Sequence, residues 1–266
     1  MTAIALTIAG SDSGGGAGIQ ADLKTFSALG VFGTSVVTAV TAQNTQGVRA
    51  VEDISPAMVA AQLDAVCEDM DVGGVKIGMV SRVETIETIA QGLRRHGLRP
   101  VLDPVMVATS GDRLLRPDAV DALRERLAPL AALVTPNLPE AALLTGTPVA
   151  ADEAGMLAQA RAIVAAGAGA ALVKGGHGAG ADSVDIFFDG TEMLRLSAPR
   201  ITTRNTHGTG CTLSAAVAAG LAKGLPLREA VRAAKDYLHA ALAAGADLSI
   251  GKGSGPVHHF HRWWAR

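Results

Sequence analysis

Short apolar runs alternate with longer segments of helical spacing along most of the chain. Residues 4–9 form an almost wholly apolar run, whereas the large apolar residues of 19–29 recur every three or four positions and so share one face of a helix. Short apolar strands that alternate with longer helices are typical of βαβ units. The pattern therefore predicts a largely parallel sheet that helices cover on both faces.

The same pattern places the individual elements. Strands are predicted over residues 4–9, 35–42, 75–80, 101–107, 131–135 and 170–174, and helices over 19–29, 56–70, 83–96, 117–127, 139–144, 153–166, 209–223 and 227–244. The runs 184–188 and 193–196, joined by Asp189 and Gly190, indicate an antiparallel hairpin. No repeat or linker interrupts the chain. We therefore expect a single domain over residues 1–266, a three-layer α/β/α sandwich with a mostly parallel central sheet and a small antiparallel hairpin at its edge.

Composition narrows the classes of function. The chain has 266 residues and a net charge of −2, from 23 Lys and Arg against 25 Asp and Glu, which argues against broad nucleic-acid binding, since that needs a basic face. No stretch approaches the roughly 18 uninterrupted apolar residues of a membrane helix. The apolar N-terminal run has no basic flank and predicts a strand, not a signal peptide. Two cysteines, Cys67 and Cys211, are too few for a disulfide framework, so a cytoplasmic location is expected.

Three glycine-rich segments follow predicted strands, where ligands of open α/β sheets bind. The first, residues 9–18 (AGSDSGGGAG), lacks the spacing of a dinucleotide fingerprint and of a Walker loop. A tight turn into a helix is one interpretation. A substrate loop is favoured, because polar residues crowd this segment and the start of the helix that follows it. These residues are Ser11, Asp12, Ser13, Gln20 and Asp22.

The second segment, residues 174–178 (KGGHG), begins with Lys174 at the end of an apolar run. A lysine at this place can direct its charge at a phosphate group. The alternative is a lysine that extends from the strand end into solvent.

The third segment, residues 205–214 (NTHGTGCTLS), gives the strongest signal. Gly208 and Gly210 allow backbone N–H groups to point into one cavity, and the helix that follows adds the positive end of its dipole. Together they predict an anion hole suited to a phosphoryl group. Cys211 lies in the first turn of that helix, where a thiolate is stabilised. The alternative is a glycine turn that caps a helix containing a buried cysteine.

Residues 205–211 (NTHGTGC) resemble the C-terminal signature of ribokinase-like vitamin kinases, most of all the hydroxymethylpyrimidine/phosphomethylpyrimidine kinases of thiamine biosynthesis. Most members of the superfamily have Asp where this chain has Cys211, whereas the pyrimidine kinases typically have Cys. Other segments are similar in the same order along the chain, from about residue 3 to residue 264: 9–24, 41–45, 76–79, 103–106, 135–140 and 255–261.

The resemblance implies a ribokinase-like fold, a homodimer and a small-molecule substrate that is phosphorylated twice by ATP with Mg²⁺. The resemblance implies that Gln43 binds the pyrimidine, since its amide both donates and accepts hydrogen bonds. Met79 and Val105 would form apolar walls, with Gly10 beside them. Asp22 would accept from the exocyclic amine or, alternatively, cap its own loop.

For the phosphates, the resemblance implies Lys174, Asn137, Thr206, Gly208 and Gly210 as ATP contacts. Thr209 would belong to the anion hole with the two glycines. Asp103 and Glu140 would hold Mg²⁺, directly or through water, since Mg²⁺ prefers oxygen ligands. Glu140 could instead be an ordinary carboxylate in the first turn of a helix. Cys211 would accept the proton of the attacking hydroxyl, or would only complete the anion hole.

Three other functions compete with the pyrimidine kinase. A pyridoxine or pyridoxal kinase would share the fold and most of the site; Gln43 and Cys211 favour the pyrimidine without excluding pyridoxal. A non-catalytic effector-binding module would have lost a reactive group at 103, 140, 174 or 211, and all four are present. A dinucleotide-dependent oxidoreductase lacks its glycine spacing.

Overall fold

The computed structural model describes residues 2–106, 117–176 and 180–264. The strands are β1 (Ile4–Ala9), β2 (Phe32–Val37), β3 (Ala39–Asn44), β4 (Gly47–Asp53), β5 (Gly74–Ile77), β6 (Val101–Leu102), β7 (Leu133–Val134), β8 (Ala171–Lys174), β9 (Asp182–Phe188) and β10 (Met193–Pro199). The helices are α1 (Gly18–Ala28), α2 (Pro56–Cys67), α3 (Val83–Arg95), α4 (Pro117–Ala122), α5 (Leu138–Thr145), α6 (Glu153–Ala165), α7 (Thr209–Ala222) and α8 (Leu227–Gly245).

Eight strands form one sheet in the order β10-β9-β8-β7-β6-β5-β1-β2. The strands from β8 to β2 in that order pair in parallel, whereas β9 and β10 are antiparallel and form the edge. The predicted mostly parallel sheet and its edge hairpin are therefore confirmed. None of the helices in the described ranges has the length and apolar content of a membrane span.

The alternation of side chains along each strand builds two hydrophobic cores. In β1, Leu6 and Ile8 face a core formed with α2, α3, α5 and α6, whereas Ala5 faces a second core formed with α1, α7 and α8. Helices thus cover both faces of the sheet, which confirms the three-layer arrangement. All buried residues of β1 apart from Thr7 are apolar, as a strand covered on both sides requires.

The chain leaves β1 in one direction to β2 and returns on the other side of β1 as β5. Such a reversal of strand order opens a crevice at the carboxyl ends of the strands. Gly10 and Gly78, which directly follow β1 and β5, lie at this place, so the fold positions the first glycine-rich segment at the crevice.

The structure departs from the predicted elements in several places. The strands predicted over 75–80 and 131–135 are shorter, Gly74–Ile77 and Leu133–Val134. The strand predicted over 35–42 is divided at Thr38, whose hydroxyl donates to the carbonyl of Met79 (2.9 Å); β3 then pairs with β4, which was not predicted, as a separate two-stranded sheet. The helix predicted over 117–127 is regular only to Ala122 and then widens into a π-helical turn. The strand predicted over 101–107 comprises only Val101–Leu102, and residue 107 lies outside the described residues.

Candidate active site

A cavity of about 630 Å³ opens at the carboxyl ends of the parallel strands. The structure brings thirteen of the fourteen sequence-predicted site residues to its wall: Gly10, Gln43, Met79, Asp103, Val105, Asn137, Glu140, Lys174, Thr206, Gly208, Thr209, Gly210 and Cys211. His177 and Gly178, which belong to the second glycine-rich segment, lie outside the described residues. The three segments that sequence analysis selected therefore contribute to one site.

Asp22 is the exception among the predicted site residues. Its side chain is fully buried in α1 and does not line the cavity. The carboxylate accepts hydrogen bonds from the Thr7 hydroxyl (2.6 Å) and the Lys76 ammonium (2.8 Å), both at Oδ2. The structure therefore does not place Asp22 on the cavity wall, and its contact with the substrate stays a prediction.

The anion-hole segment has the backbone geometry that its glycines allow. Gly208 caps the N-terminus of α7 with φ = 78°, and a Cβ at this position would collide with the carbonyl oxygen of Gly16. Both the positive φ and the close approach require glycine. Gly210, the second residue of α7, packs against two charged groups. A Cβ at this position would lie 3.2 Å from Asp103 Oδ2 and 3.3 Å from Lys174 Nζ. The first turn of α7 therefore lies against the charged end of the cavity.

Lys174 and Asp103 form the charged centre of the site. Lys174 Nζ lies 2.8 Å from Asp103 Oδ1, and the Asp103 side chain is only 2% exposed. The hydroxyls of Thr135 (3.2 Å) and Ser214 (3.4 Å) also donate to this carboxylate. Lys174 ends β8, Asp103 follows β6 and Thr135 follows β7, so the parallel sheet itself brings these groups together.

Glu140 caps a helix and also lies on the cavity wall. It forms a capping box at the start of α5, in which Asn137 Oδ1 accepts from the Glu140 N–H (2.9 Å) and Glu140 Oε2 accepts from the Asn137 N–H (2.8 Å). It also lines the cavity. Burial, with a further contribution from Asp103 and opposed by Lys174, raises the pKa of Glu140 to about 7.

The two carboxylates fit a hydrated magnesium ion. A carboxyl group whose pKa is raised by burial and by a neighbouring carboxylate is stabilised in its charged form when a cation binds. Mg²⁺ is commonly held by one or two carboxylates, with water and substrate phosphates as the remaining ligands. Among the described residues there is no group of three or more His, Cys, Asp and Glu that could hold a metal, so Asp103 and Glu140 would supply only part of the ligand set.

Cys211 lies half-buried in the first turn of α7, on the cavity wall. The backbone N–H of Gly18, at the start of α1, lowers the pKa of its thiol. Burial nevertheless raises the pKa of the thiol to about 11; Lys76 opposes this shift, and Asp22 and Asp103 add to it. The helix terminus and the Lys76 ammonium therefore do not offset the loss of hydration, and the role of Cys211 as a base stays a prediction.

Sequence analysis missed a pair of residues that joins two of the glycine-rich segments. His207 Nε2 lies 2.9 Å from Asp12 Oδ2, and both side chains are buried. The same carboxylate accepts the N–H groups of Gly14, Gly16 and Ala17. The pair thereby fixes the substrate loop against the anion-hole loop. Both residues stand inside motifs that the sequence had selected, but nothing in the sequence pairs positions 195 residues apart.

We expect His207→Ala to lower the free energy of unfolding by about 2 kcal/mol, because it removes a buried side chain and its hydrogen bond to a buried carboxylate. Urea unfolding measures this change. The matched control is His96→Ala, which removes a surface pair with Asp64 (2.8 Å) and should change stability little. Equal losses in the two variants would contradict a special role for the buried pair.

Comparison with known proteins gives a consistent result. A sequence profile of the family described as phosphomethylpyrimidine kinase matches residues 12–258. The hydroxymethylpyrimidine/phosphomethylpyrimidine kinase of Rhizobium meliloti is 71% identical over 264 residues, which cover 99% of this chain and 99% of that protein.

Two solved structures share the fold. The phosphomethylpyrimidine kinase of Clostridium difficile superposes with a TM-score of 0.80 at 44% identity, covering 90% of this chain and 99% of that chain. An ADP complex of Bacillus subtilis pyridoxal kinase superposes with a TM-score of 0.90 at 39% identity, covering 97% and 98% of the two chains. The similarity extends over nearly the whole length and includes the motif at 205–211.

Proposed function

The chain belongs to the phosphomethylpyrimidine kinase family, and from that premise we propose how its site performs two phosphoryl transfers. The protein is a bifunctional kinase of thiamine biosynthesis. It transfers the γ-phosphate of ATP first to the hydroxyl group of 4-amino-5-hydroxymethyl-2-methylpyrimidine and then to the phosphate of the product. The observation that carries this function is the convergence of Lys174, two carboxylates, the glycine anion hole and Cys211 on one cavity.

Pyridoxal phosphorylation is the alternative that the fold alone leaves open, because the Bacillus subtilis pyridoxal kinase shares it. The Rhizobium meliloti relative, named for the pyrimidine activities, is far more similar in sequence, at 71% against 39% identity. The pyrimidine function is favoured on this ground.

On the acceptor side, Gly10, Met79, Val105 and Gln43 would hold the pyrimidine ring. A Cβ at Gly10 would lie only 2.6 Å from Met79 Cε, so the glycine leaves room for the methionine that forms one wall. Gln43 lies in β3, and its amide can present both a donor and an acceptor to an aminopyrimidine edge.

On the donor side, Lys174 would neutralise charge on the transferred phosphoryl group, and the anion hole formed by Gly208, Thr209 and Gly210 would bind its oxygens. Phosphoryl transfer depends chiefly on such positioning and charge stabilisation. Asn137 and Thr206 lie on the cavity wall, where they would contact ATP. Asp103 and Glu140 would hold Mg²⁺, which neutralises charge on the phosphates when it is bound.

Cys211 would act as the general base of the first transfer only. An alcohol must lose its proton as it is phosphorylated, whereas a phosphate monoester, with a second pKa of about 6, is already an oxyanion at neutral pH. The thiol must therefore ionise before it can accept the proton of the alcohol, and the second transfer needs no such step.

We further propose that residues 1–266 form one domain, that the protein acts in the cytoplasm and that it is a homodimer. The continuous eight-stranded sheet supports the first proposal, and two free thiols support the second. The β3–β4 sheet stands apart from the central sheet and exposes Val40 and Val51, a surface that a second copy would cover. Sedimentation equilibrium of the wild-type protein and of Val40→Glu tests the dimer.

The function is tested by an ATP-consumption assay with Mg²⁺ that compares the hydroxymethylpyrimidine, its monophosphate and pyridoxal. We expect turnover of both pyrimidines, and its loss when EDTA removes the metal. Turnover of pyridoxal alone would instead assign the protein to vitamin B6 salvage, with the same site residues. Absence of turnover with all three would contradict the proposed substrates.

A further inference from the structure

A fully buried ion pair lies at the floor of the cavity, which Lys76 helps to line. Lys76 Nζ is 2.8 Å from Asp22 Oδ2, and both side chains have no exposed surface. The Thr7 hydroxyl donates to the same oxygen, while Asp22 Oδ1 has no hydrogen-bond partner among the described residues. Burying two charges costs more than their attraction commonly returns. An incompletely satisfied pair at this depth therefore suggests a role other than stability.

The fold directs this pair at the first turn of α7. Val75 and Ile77, the neighbours of Lys76 in β5, face the core on the other side of the sheet, so Lys76 faces the layer that contains α1 and α7. Gly78 leaves the space that the ammonium occupies, since a Cβ there would lie 2.5 Å from Lys76 Nζ. Asp22, which lies in α1, accepts a hydrogen bond from this ammonium group.

Cys211 is the reactive group that this arrangement faces. Lys76, Gly18 and Cys211 line the same cavity. Cys211 lies in the first turn of α7 and Gly18 at the start of α1, and both the Lys76 ammonium and the Gly18 N–H lower the pKa of the Cys211 thiol. The charged groups around it are Lys76 from β5, Asp22 from α1, Asp103 after β6 and Lys174 from β8.

We propose that Lys76 is a positioning residue for the first phosphoryl transfer: Asp22 holds its ammonium beneath Cys211, where it is the countercharge for a thiolate. The inference rests on the proposed function of Cys211 as the base. The thiol first releases its proton to solvent. As the alcohol oxygen bonds to the γ-phosphorus, the bond from phosphorus to the ADP oxygen breaks, ADP keeps the electron pair, and the alcohol proton passes to the sulfur. Lys76 stabilises the only form of Cys211 that can accept this proton.

The test follows alkylation of Cys211 by iodoacetamide as a function of pH, in the free protein. Cys67, the only other cysteine, is replaced by alanine throughout. We expect Lys76→Met to slow alkylation at pH 8 about tenfold or more, because loss of an opposite charge at short range raises a thiol pKa by about one unit or more. Lys223→Met, which removes an exposed lysine at the opposite end of α7, should leave the pH profile unchanged.

Lys76→Met leaves Asp22 buried without its partner, so its fold is checked by circular dichroism. Lys76→Met/Asp22→Asn removes both charges and avoids that problem; its profile should shift upward as well, but less, because the opposing Asp22 charge has also gone. An unchanged profile in the double variant, or in a folded Lys76→Met, would overturn the proposal.

Kinetics give a second readout that a merely structural lysine would not affect. If Lys76 acts through Cys211, Lys76→Met should slow phosphorylation of the alcohol in the wild-type background and have no further effect in Cys211→Ala. Additive losses would overturn the proposed coupling. Alkylation requires no substrate, so a protein that phosphorylates neither pyrimidine but shows the shifted profile would contradict the proposed function and leave the charge pair in place.

Discussion

Replacing Lys174 with methionine is expected to lower kcat for both phosphoryl transfers by about 10²- to 10³-fold, the range found when one group that stabilises transition-state charge is removed. The Lys174 ammonium lies 2.8 Å from Asp103 Oδ1 and close to Gly210, at the point where the anion hole meets the carboxylates. Both transfers move the same γ-phosphoryl group, so both depend on this charge. The loss should therefore be similar for the alcohol and for the phosphate acceptor.

The variant is measured by steady-state kinetics with each pyrimidine, beside Lys223→Met as a control for removal of one positive charge. Lys223 is exposed at the far end of α7, about 20 Å along the helix from the anion hole, and its replacement should leave kcat unchanged. Lys174→Met also leaves Asp103 without its partner, so unfolding is measured in parallel. A loss confined to one acceptor would contradict a role for Lys174 at the transferred phosphoryl group.

The sequence predicted where the site lies because position in a parallel sheet is a local property. Asp103 and Lys174 each end an apolar run, and all carboxyl ends of parallel strands meet at one edge. The glycines at 208 and 210 likewise predicted a close approach of the backbone to a ligand at the start of a helix. Strand ends and glycine spacing therefore sufficed to bring these distant residues to one cavity.

The contacts that the sequence could not predict depend on which helix packs on which strand. Asp22 follows the substrate loop by four residues, but the partner of its carboxylate is Lys76, which is 54 residues away in the sequence, on β5. Helical spacing shows that α1 has a buried face without showing which strand it meets. The extra β3–β4 sheet was missed for a related reason: the apolar run from 35 to 42 does not reveal the turn at Thr38.

The charge state of Cys211 shows how burial overrides a local rule. A cysteine in the first turn of a helix is ordinarily acidified, and the sequence supports that expectation. In the structure, removal of water from the sulfur outweighs the helix terminus and Lys76, and the pKa rises to about 11. The same burial that raises the pKa makes a thiolate, once formed, a stronger base for an alcohol proton.

The pH dependence of the two transfers is expected to separate them. Below a pKa of about 11, the thiolate fraction of Cys211 grows about tenfold for each pH unit. Alcohol phosphorylation should rise accordingly between about pH 6.5 and 9, whereas a phosphate acceptor is fully ionised above its second pKa of about 6. We therefore expect the ratio of first-step to second-step kcat to increase with pH. Groups that serve both steps, including Glu140 with its pKa of about 7, cancel in this ratio.

Cys211→Ala provides the decisive comparison, because it removes the base and leaves the backbone of the anion hole. We expect it to lower first-step kcat by about 10²- to 10⁴-fold, the usual contribution of general base catalysis, to spare the second step and to abolish the pH dependence of the ratio. Cys67→Ala, which removes the other thiol, should reproduce the wild-type ratio at every pH. A wild-type ratio that does not change with pH, together with equal losses in both steps for Cys211→Ala, would instead make Cys211 a member of the anion hole, because a hydrogen-bond donor to the transferred phosphoryl group serves both acceptors alike.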